Sequence, residues 1–170
     1  MGFQELVKAR YSARAYDPTP VDDDALARIL EAVRLAPTAA NRQAFRAVVL
    51  ATEGREDELR RVYDRGWFVQ APLVIAVCAV PAEGWVRAAD GWSAAGVDAT
   101  IAMTHLILAA AEEGLGTCWV AAFDPAAARE VLGLPEDVVP WAFTPLGHAA
   151  DSPAPKVRRP LPDLVLDKRA

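Results

Sequence analysis

Few residues in this chain combine a reactive or hydrogen-bonding type with a setting that calls for it. The densest group lies in APTAANRQAFR, residues 36–46, where Thr38, Asn41, Arg42 and Gln43 stand together in an alanine-rich context. The stretch falls between a helical repeat ending at Leu35 and the strand-like run VVLA at 48–51. A helix-to-strand connection needs about 2 to 6 residues and a Gly or Pro to turn on, and Pro37 already meets that need. The remaining polar side chains are either local turn caps or donors and acceptors held for a ligand. Cations gather at two other places, Lys8, Arg10 and Arg14 near the start and Lys156, Arg158 and Arg159 near the end. Either group, taken alone, reads as a solvated surface.

Several common chemistries are missing. No G-x-G-x-x-G follows a strand and no G-x-x-x-x-G-K-[ST] occurs, so the glycine-rich phosphate cradles are excluded. There is no G-x-S-x-G nucleophile elbow. The two histidines are His105, in an apolar helix, and His148, after a strand, and two such isolated ligands argue against a metal site. No residue stands out as a catalytic acid, base or nucleophile, and an organic cofactor that carries the chemistry is the economical expectation.

Composition sets the frame. The 170 residues are 53% hydrophobic and 24% charged, which suits one packed domain over residues 1–170 of α/β or α+β type. A net charge of −5 argues against a nucleic-acid partner. The first twenty residues lack an apolar signal-peptide core, and the longest apolar run, residues 71–82, falls short of the roughly 18 residues of a membrane span. Cys78 and Cys118 lie far apart in apolar runs, a pattern that fits a reducing, cytoplasmic setting.

The elements that must position these residues follow from pattern. FQELVKA at 3–9 predicts a short helix with Phe3, Leu6 and Val7 on one face. A second helix begins near Asp22, with Leu26, Ile29, Leu30 and Val33 at the spacing of a buried stripe. FRAVVLAT predicts a strand, EDELRRVYD a charged helix, and APLVIAVCAV a strand covered on both faces. Residues 81–93 read as a loop. Residues 94–113 predict the longest helix, apolar almost all round and therefore buried or facing a partner, ended by the glycines at 114 and 116. TCWVA predicts a strand, and Asp124 and Pro125 open a further helix. VVPWAFTPLG predicts an edge or bulged strand because of Pro140 and Pro145. From Ala149 on, four prolines predict an extended arm.

Four pieces, in order and at fitting distances, resemble the FMN-dependent nitroreductase family. Arg10, Ser12, Arg14 and Tyr16 with Pro20-Val21 match its opening R-R-S-x-R-x-[FY]…P-V, and Ala36, Pro37, Thr38, Asn41 and Gln43 match its A-P-S-x-x-N-x-Q-P-W. AAAEEGLGTCWVAAF and PKVRRPLPDLV match its later G-L-G-T-C-W and P-K-x-R-x-P-L segments. The resemblance implies an α+β three-layer sandwich, a mixed but mainly antiparallel sheet flanked by helices, in an intertwined homodimer with residues 150–170 reaching over the partner. It implies an FMN phosphate held by Arg10, Arg14, Lys156 and Arg158 with the Ser12 hydroxyl, donors that suit a phosphate chemically. The flavin ring would meet Pro37, Thr38, Ala39 and Asn41 of the other subunit, braced by Gln43, while Thr117, Cys118, Trp119 and Gly147 approach another face or edge.

The implied activity is a two-step hydride relay through flavin N5, with NAD(P)H as donor and a nitroaromatic, quinone or free flavin as acceptor. The chain departs from the family pattern at Tyr11, where many members carry Arg or His at the ring's polar edge, and at Ala44-Phe45 in place of Pro-Trp. The segment that often covers the substrate is reduced to roughly 81–93, where Trp85 and Trp92 either line an acceptor pocket or simply cover core. An FMN-dependent dehydrogenase or dehalogenase on the same scaffold, or a flavin carrier without turnover, fits the same motifs.

Overall fold

The structure is a computed structural model and describes residues 2–165. Ten regular elements alternate along it: α1 (Phe3–Ala9), α2 (Asp23–Arg34), β1 (Phe45–Ala51), α3 (Glu56–Val62), β2 (Leu73–Ala79), α4 (Ala95–Glu112), β3 (Gly116–Thr117), α5 (Pro125–Leu132), β4 (Val139–Gly147) and α6 (Leu161–Leu164). The strands form one antiparallel sheet in the order β1-β2-β4-β3. A parallel bridge from Ser12 to Thr117 adds a mixed pairing at its edge.

The sheet separates two cores. Ile75, Val77 and Ala79 of β2 pack toward Ile29 and Val33 of α2 and Ala99, Met103 and Leu106 of α4. Val74, Ala76 and Cys78, the alternate residues, pack toward Leu59, Val62, Phe68 and Ala128 around α3 and α5. Side chains on a strand alternate between faces, so a strand covered on both sides must be apolar at every position, as residues 71–80 are. This is the three-layer α+β arrangement expected from sequence. Asp22 caps α2 by accepting the Ala25 amide (3.0 Å), and Asp124 caps α5 by accepting the Ala126 and Ala127 amides.

One sequence expectation, the strand at TCWVA, is corrected, and two are sharpened. In α1 only Leu6 is buried; Phe3 is 66% exposed, because seven residues give too short a helix to press its first turn onto the core. The strand expected at TCWVA stops after Thr117, where Cys118 N–H turns to the Thr144 hydroxyl (3.1 Å) and only Val120 returns to bridge Phe143. Of the two positions its prolines suit, β4 takes the bulged one, lying between β2 and β3 rather than at an edge. Its prolines are accommodated by a bulge: Val77 faces Ala142 and Cys78 faces Pro140, leaving Trp141 as the extra residue. The bulge turns Trp141 outward over α4, where its indole N–H donates to Thr100 Oγ1 (2.9 Å). Its ring fills the space that a side chain at Gly96 would need.

The arm beyond Ala150 is extended and exposed from 152 to 165, apart from the single turn of α6. Val157, Leu161 and Leu164 lie open along it, at 87%, 72% and 62% exposure. Residues 166–170 of the expected arm lie outside the described residues. No helix among the described residues is long and apolar enough to cross a membrane.

Candidate functional site

The N-terminal and C-terminal cations meet. After α1 the chain runs beside β3, with Ser12 bridged to Thr117 and Ala13 N–H donating to Thr117 O (2.9 Å). The arm returns alongside, through Tyr16 bridged to Ala149 and Ala150 N–H donating to Ala15 O. Asp151 locks the two together: it accepts the Arg14 amide (2.8 Å) and the Tyr11 hydroxyl (3.0 Å), which also reaches the Asp151 carbonyl (2.8 Å). Burial first, then the Asp151 bond and charge, push the Tyr11 phenol above its ordinary pKa.

This clamp carries Lys156 back over α1, where its ammonium donates to the carbonyls of Val7 (3.2 Å) and Lys8 at the helix C-terminus, the end that favours a cation. Desolvation, and then the nearby charges of Arg10 and Arg158, hold the Lys156 pKa below the usual lysine value. None of Arg10, Lys156 and Arg158 forms an ion pair among the described residues. Three mutually repelling cations without a carboxylate suit a phosphate monoester, which would relieve the repulsion. Arg14 stacks 6.0 Å from the Trp67 ring centre. Below the cations the Cys118 thiol is raised by burial, against the lowering influence of Arg14, Ser12 and Arg10.

A cleft of about 260 Å³ opens here between Arg10, Tyr11, Thr117, His148 and the Ala111–Gly114 end of α4. A larger cleft of about 540 Å³ contains none of the candidate residues; Asp23, Glu53 and Glu56 on its wall would repel a phosphate.

The second group is built differently. Residues 39–41 form one 3₁₀ turn, and Ala40, Asn41 and Gln43 all take positive φ (51°, 54° and 53°) without being glycine. That region crowds an L-residue's Cβ. The turn is held internally: Gln43 N–H donates to Thr38 Oγ1 (3.0 Å) and the Gln43 side-chain amide to Asn41 O (3.1 Å). At its C-terminal end Gln43 O accepts from Phe45 N–H (2.8 Å) at the start of β1. Among the described residues, 38–42 are tied to another element only through Ala39 N–H, which donates to Asp98 Oδ1 (2.9 Å) in the first turn of α4. Pro37 and the side chains of Asn41, Arg42 and Gln43 stay exposed, and Thr38 and Ala39 are half-buried.

Trp85 and Trp92 lie near this same end of α4, at 38% and 43% exposure. A Val86–Ser93 bridge closes their loop, and Arg87, paired with Asp90, stacks 5.0 Å from the Trp92 ring. Trp92, Trp141, Val97 and Pro81 share an apolar cleft of about 250 Å³. Thr117 and Cys118 are buried at the cation end and Trp119 is partly buried. Gly147 is buried too, with Pro72 Cδ 2.6 Å from where its Cβ would stand.

One chain therefore gathers Arg10, Tyr11, Ser12, Arg14, Thr117, Cys118, Lys156 and Arg158 at one end of α4, and Pro37–Gln43 with the two tryptophans at the other. Thirteen residues separate Asp98 from Ala111, about 20 Å at 1.5 Å per helical residue. Sequence reasoning missed Asp151, Asp98 and Trp141. For Asp151 the signal was faint, an acid between basic motifs; for Asp98 it was an acid in an otherwise apolar helix.

The model of the Nitroreductase family matches residues 7–65 and 57–148. A crystal structure of a nitroreductase family protein from Clostridium difficile 630 superposes with a TM-score of 0.87 at 34% identity, covering 97% of each chain. The NADH dehydrogenase of Thermus thermophilus is 29% identical over 92% of this chain and 91% of its own length. The FMN reductase [NAD(P)H] of Bacillus subtilis is 30% identical over 88% of this chain and 66% of its own.

Proposed function

The chain belongs to the nitroreductase family, and on that premise we propose that it is an FMN-dependent NAD(P)H oxidoreductase that works as a homodimer. Its acceptors would be nitroaromatics, quinones or flavins, and its setting cytoplasmic. The observation that carries the reading is the split along α4. The phosphate-binding group and the polar turn lie at ends of α4 about 20 Å apart along its axis. That spacing favours a flavin site shared between two chains over one within a single chain. A twofold axis that pairs two α4 helices antiparallel sets the turn of one subunit beside the cations of the other. The half-buried apolar residues Ile101, Ile107 and Leu108 of α4, and the exposed Val157, Leu161 and Leu164 of the arm, support such an interface. Residues 1–170 then act as one FMN-binding domain, with 150–170 reaching over the partner. A net charge of −5 supports neither a nucleic-acid nor an anionic membrane partner.

Each group has a definable part in this reading. Arg10, Lys156 and Arg158 bind the phosphate, and Ser12 and Arg14 extend that donor set toward the ring. Tyr11, fixed by Asp151, sets the polar edge. Thr38 and Asn41 of the facing subunit orient the ring, and Trp85 and Trp92 offer flat apolar surfaces to an acceptor. When bound, FMN supplies the hydride-accepting and hydride-donating chemistry, so the protein's work is orientation and electrostatics.

The test begins with purified protein, which should be yellow and release FMN at about one per chain, the ratio a two-site symmetric dimer requires. NADH or NADPH should bleach the flavin absorbance in a stopped-flow trace; a yellow protein that neither bleaches would instead be a carrier. Chains carrying Arg10→Ala and Lys156→Ala are then mixed with chains carrying Thr38→Ala and Asn41→Ala. Random exchange restores about one quarter of the sites if each site spans two chains. No restoration would mean that the site is contained within one chain.

A further inference from the structure

Asp98 is 1% exposed, and α4 gains no side-chain cap from it or from Ala94 before it. One carboxylate oxygen accepts the Ala39 amide at 2.9 Å, and the other is buried without a partner among the described residues. A buried acid is costly unless a specific bond offsets it, and here the single bond leads to the turn 38–43. No other hydrogen bond among the described residues ties residues 38–42 to a different element; the rest are internal to the loop. The turn holds Ala40 and Asn41 in the left-handed region that their side chains disfavour. Such backbone persists where its surroundings over-determine it, and Asp98 is the anchor that does so.

We infer that Asp98 is a positioning residue for the site: through the Ala39 amide it fixes the left-handed turn and so the orientation of Thr38 and Asn41 toward the cofactor. This rests on the FMN reading for its consequence, but the anchor itself does not. Without the bond the turn samples open conformations, while the cations that hold the phosphate are untouched. Loss of Asp98 therefore lowers the rate of flavin reduction more than FMN affinity.

Three variants test this. Asp98→Ala removes the acceptor. Asp98→Asn keeps an oxygen for Ala39 and replaces only the unpartnered oxygen. Ala39→Pro removes the donor and leaves Asp98 intact; Thr38 before it is already extended (φ −134°, ψ 156°), the conformation a following proline favours. Trypsin cleavage after the exposed Arg42, measured without cofactor, reads the turn directly, since proteolysis follows the population of the open form. Cleavage should quicken about tenfold in Asp98→Ala and Ala39→Pro, as loss of a charge-assisted bond implies, and Asp98→Asn, which keeps a neutral acceptor, should fall between them and wild type. In FMN-loaded protein the first two should show altered visible circular dichroism and slowed reduction by NAD(P)H, with FMN affinity changed severalfold less than the rate.

Wild-type cleavage in Ala39→Pro, or an Asp98→Asn variant as impaired as Asp98→Ala, overturns the inference. Faster cleavage with unaltered dichroism and reduction overturns its consequence for the site. Should wild-type protein bind no FMN, the flavin reading fails, while the cleavage comparison still judges the anchor.

Discussion

The two ends of α4 solve opposite problems. At its C-terminal end, charged groups from sequence positions about 150 residues apart are brought together and left unpaired, so their order comes from a clamp of neutral and carboxylate bonds around Asp151. At its N-terminal end the described residues form no cluster of unpaired cations, Arg46 and Arg87 being paired with Glu83 and Asp90. There a short contiguous turn is bent into a disfavoured conformation and pinned to α4 at one amide. The first end can bind through electrostatics, which tolerate small displacements. The second can only orient, since neutral hydrogen bonds fall off steeply with angle and distance. Affinity should therefore reside at one end and geometry at the other.

The sharpest way to break this contrast is to remove the cations. Arg10→Ala combined with Lys156→Ala should weaken FMN binding by on the order of a hundredfold or more, as loss of two charge-assisted bonds implies. Fluorescence titration of released flavin measures it. An equal loss from Thr38→Ala with Asn41→Ala would erase the proposed division.

A smaller effect is expected at the turn itself. Ala40 sits at φ 51° with its side chain exposed, so Ala40→Gly relieves steric strain and should stabilise the fold by about 0.5–1 kcal/mol, after the entropy that glycine costs. Urea unfolding reads the gain. Reduction of the flavin should slow in the same variant, because the turn is freer; a faster reduction would mean that the left-handed backbone hinders the site.

The tryptophans give a lesser change. Trp85→Ala and Trp92→Ala are expected to leave FMN affinity within about twofold, since partly exposed aromatic contacts contribute little to a distant phosphate. The KM for a flat acceptor should rise severalfold. A loss of FMN as large as that of the Arg10 and Lys156 pair would put the cofactor at the wrong end of α4.

The smallest effect is a pH signature. Because the folded chain holds the Lys156 pKa below its ordinary value, it binds fewer protons than the unfolded chain just below that value. Apo-protein stability from Lys156 therefore rises with pH in that window. FMN affinity must run the other way, since the phosphate needs the protonated amine. Comparing wild type with Lys156→Met from about pH 8 to pH 11 isolates both slopes, and slopes of the same sign would remove Lys156 from the phosphate group.

Much of the architecture was legible before the structure. The buried stripe of α2, the caps at Asp22 and Asp124, and the apolar β2 each depend on neighbours within a few positions. For β4 the sequence left two readings open, since Pro140 and Pro145 lack donors and suit either an edge or a bulge. The sheet takes the second, with a bulge beside Pro140 at Trp141, and a pairing partner distant in sequence decides that. The site was legible as residue types and not as a place: the motifs named Arg10, Lys156, Thr38 and Asn41, and nothing in their spacing said that they lie at opposite ends of one helix.

By itself the sequence determined most of the helices and strands, which faces are apolar, and which cations and amides could serve a ligand. Periodicity, capping and proline placement are local effects, encoded where they act. Only the tertiary structure decided that Asp151 joins Tyr11 across 140 positions, that Asp98 holds Ala39 across 59, and that the turn and the cations of one chain lie at opposite ends of α4. Those choices depend on strand order and on the burial of single polar atoms, where the free energy of a contact is set by groups that sequence proximity does not bring together.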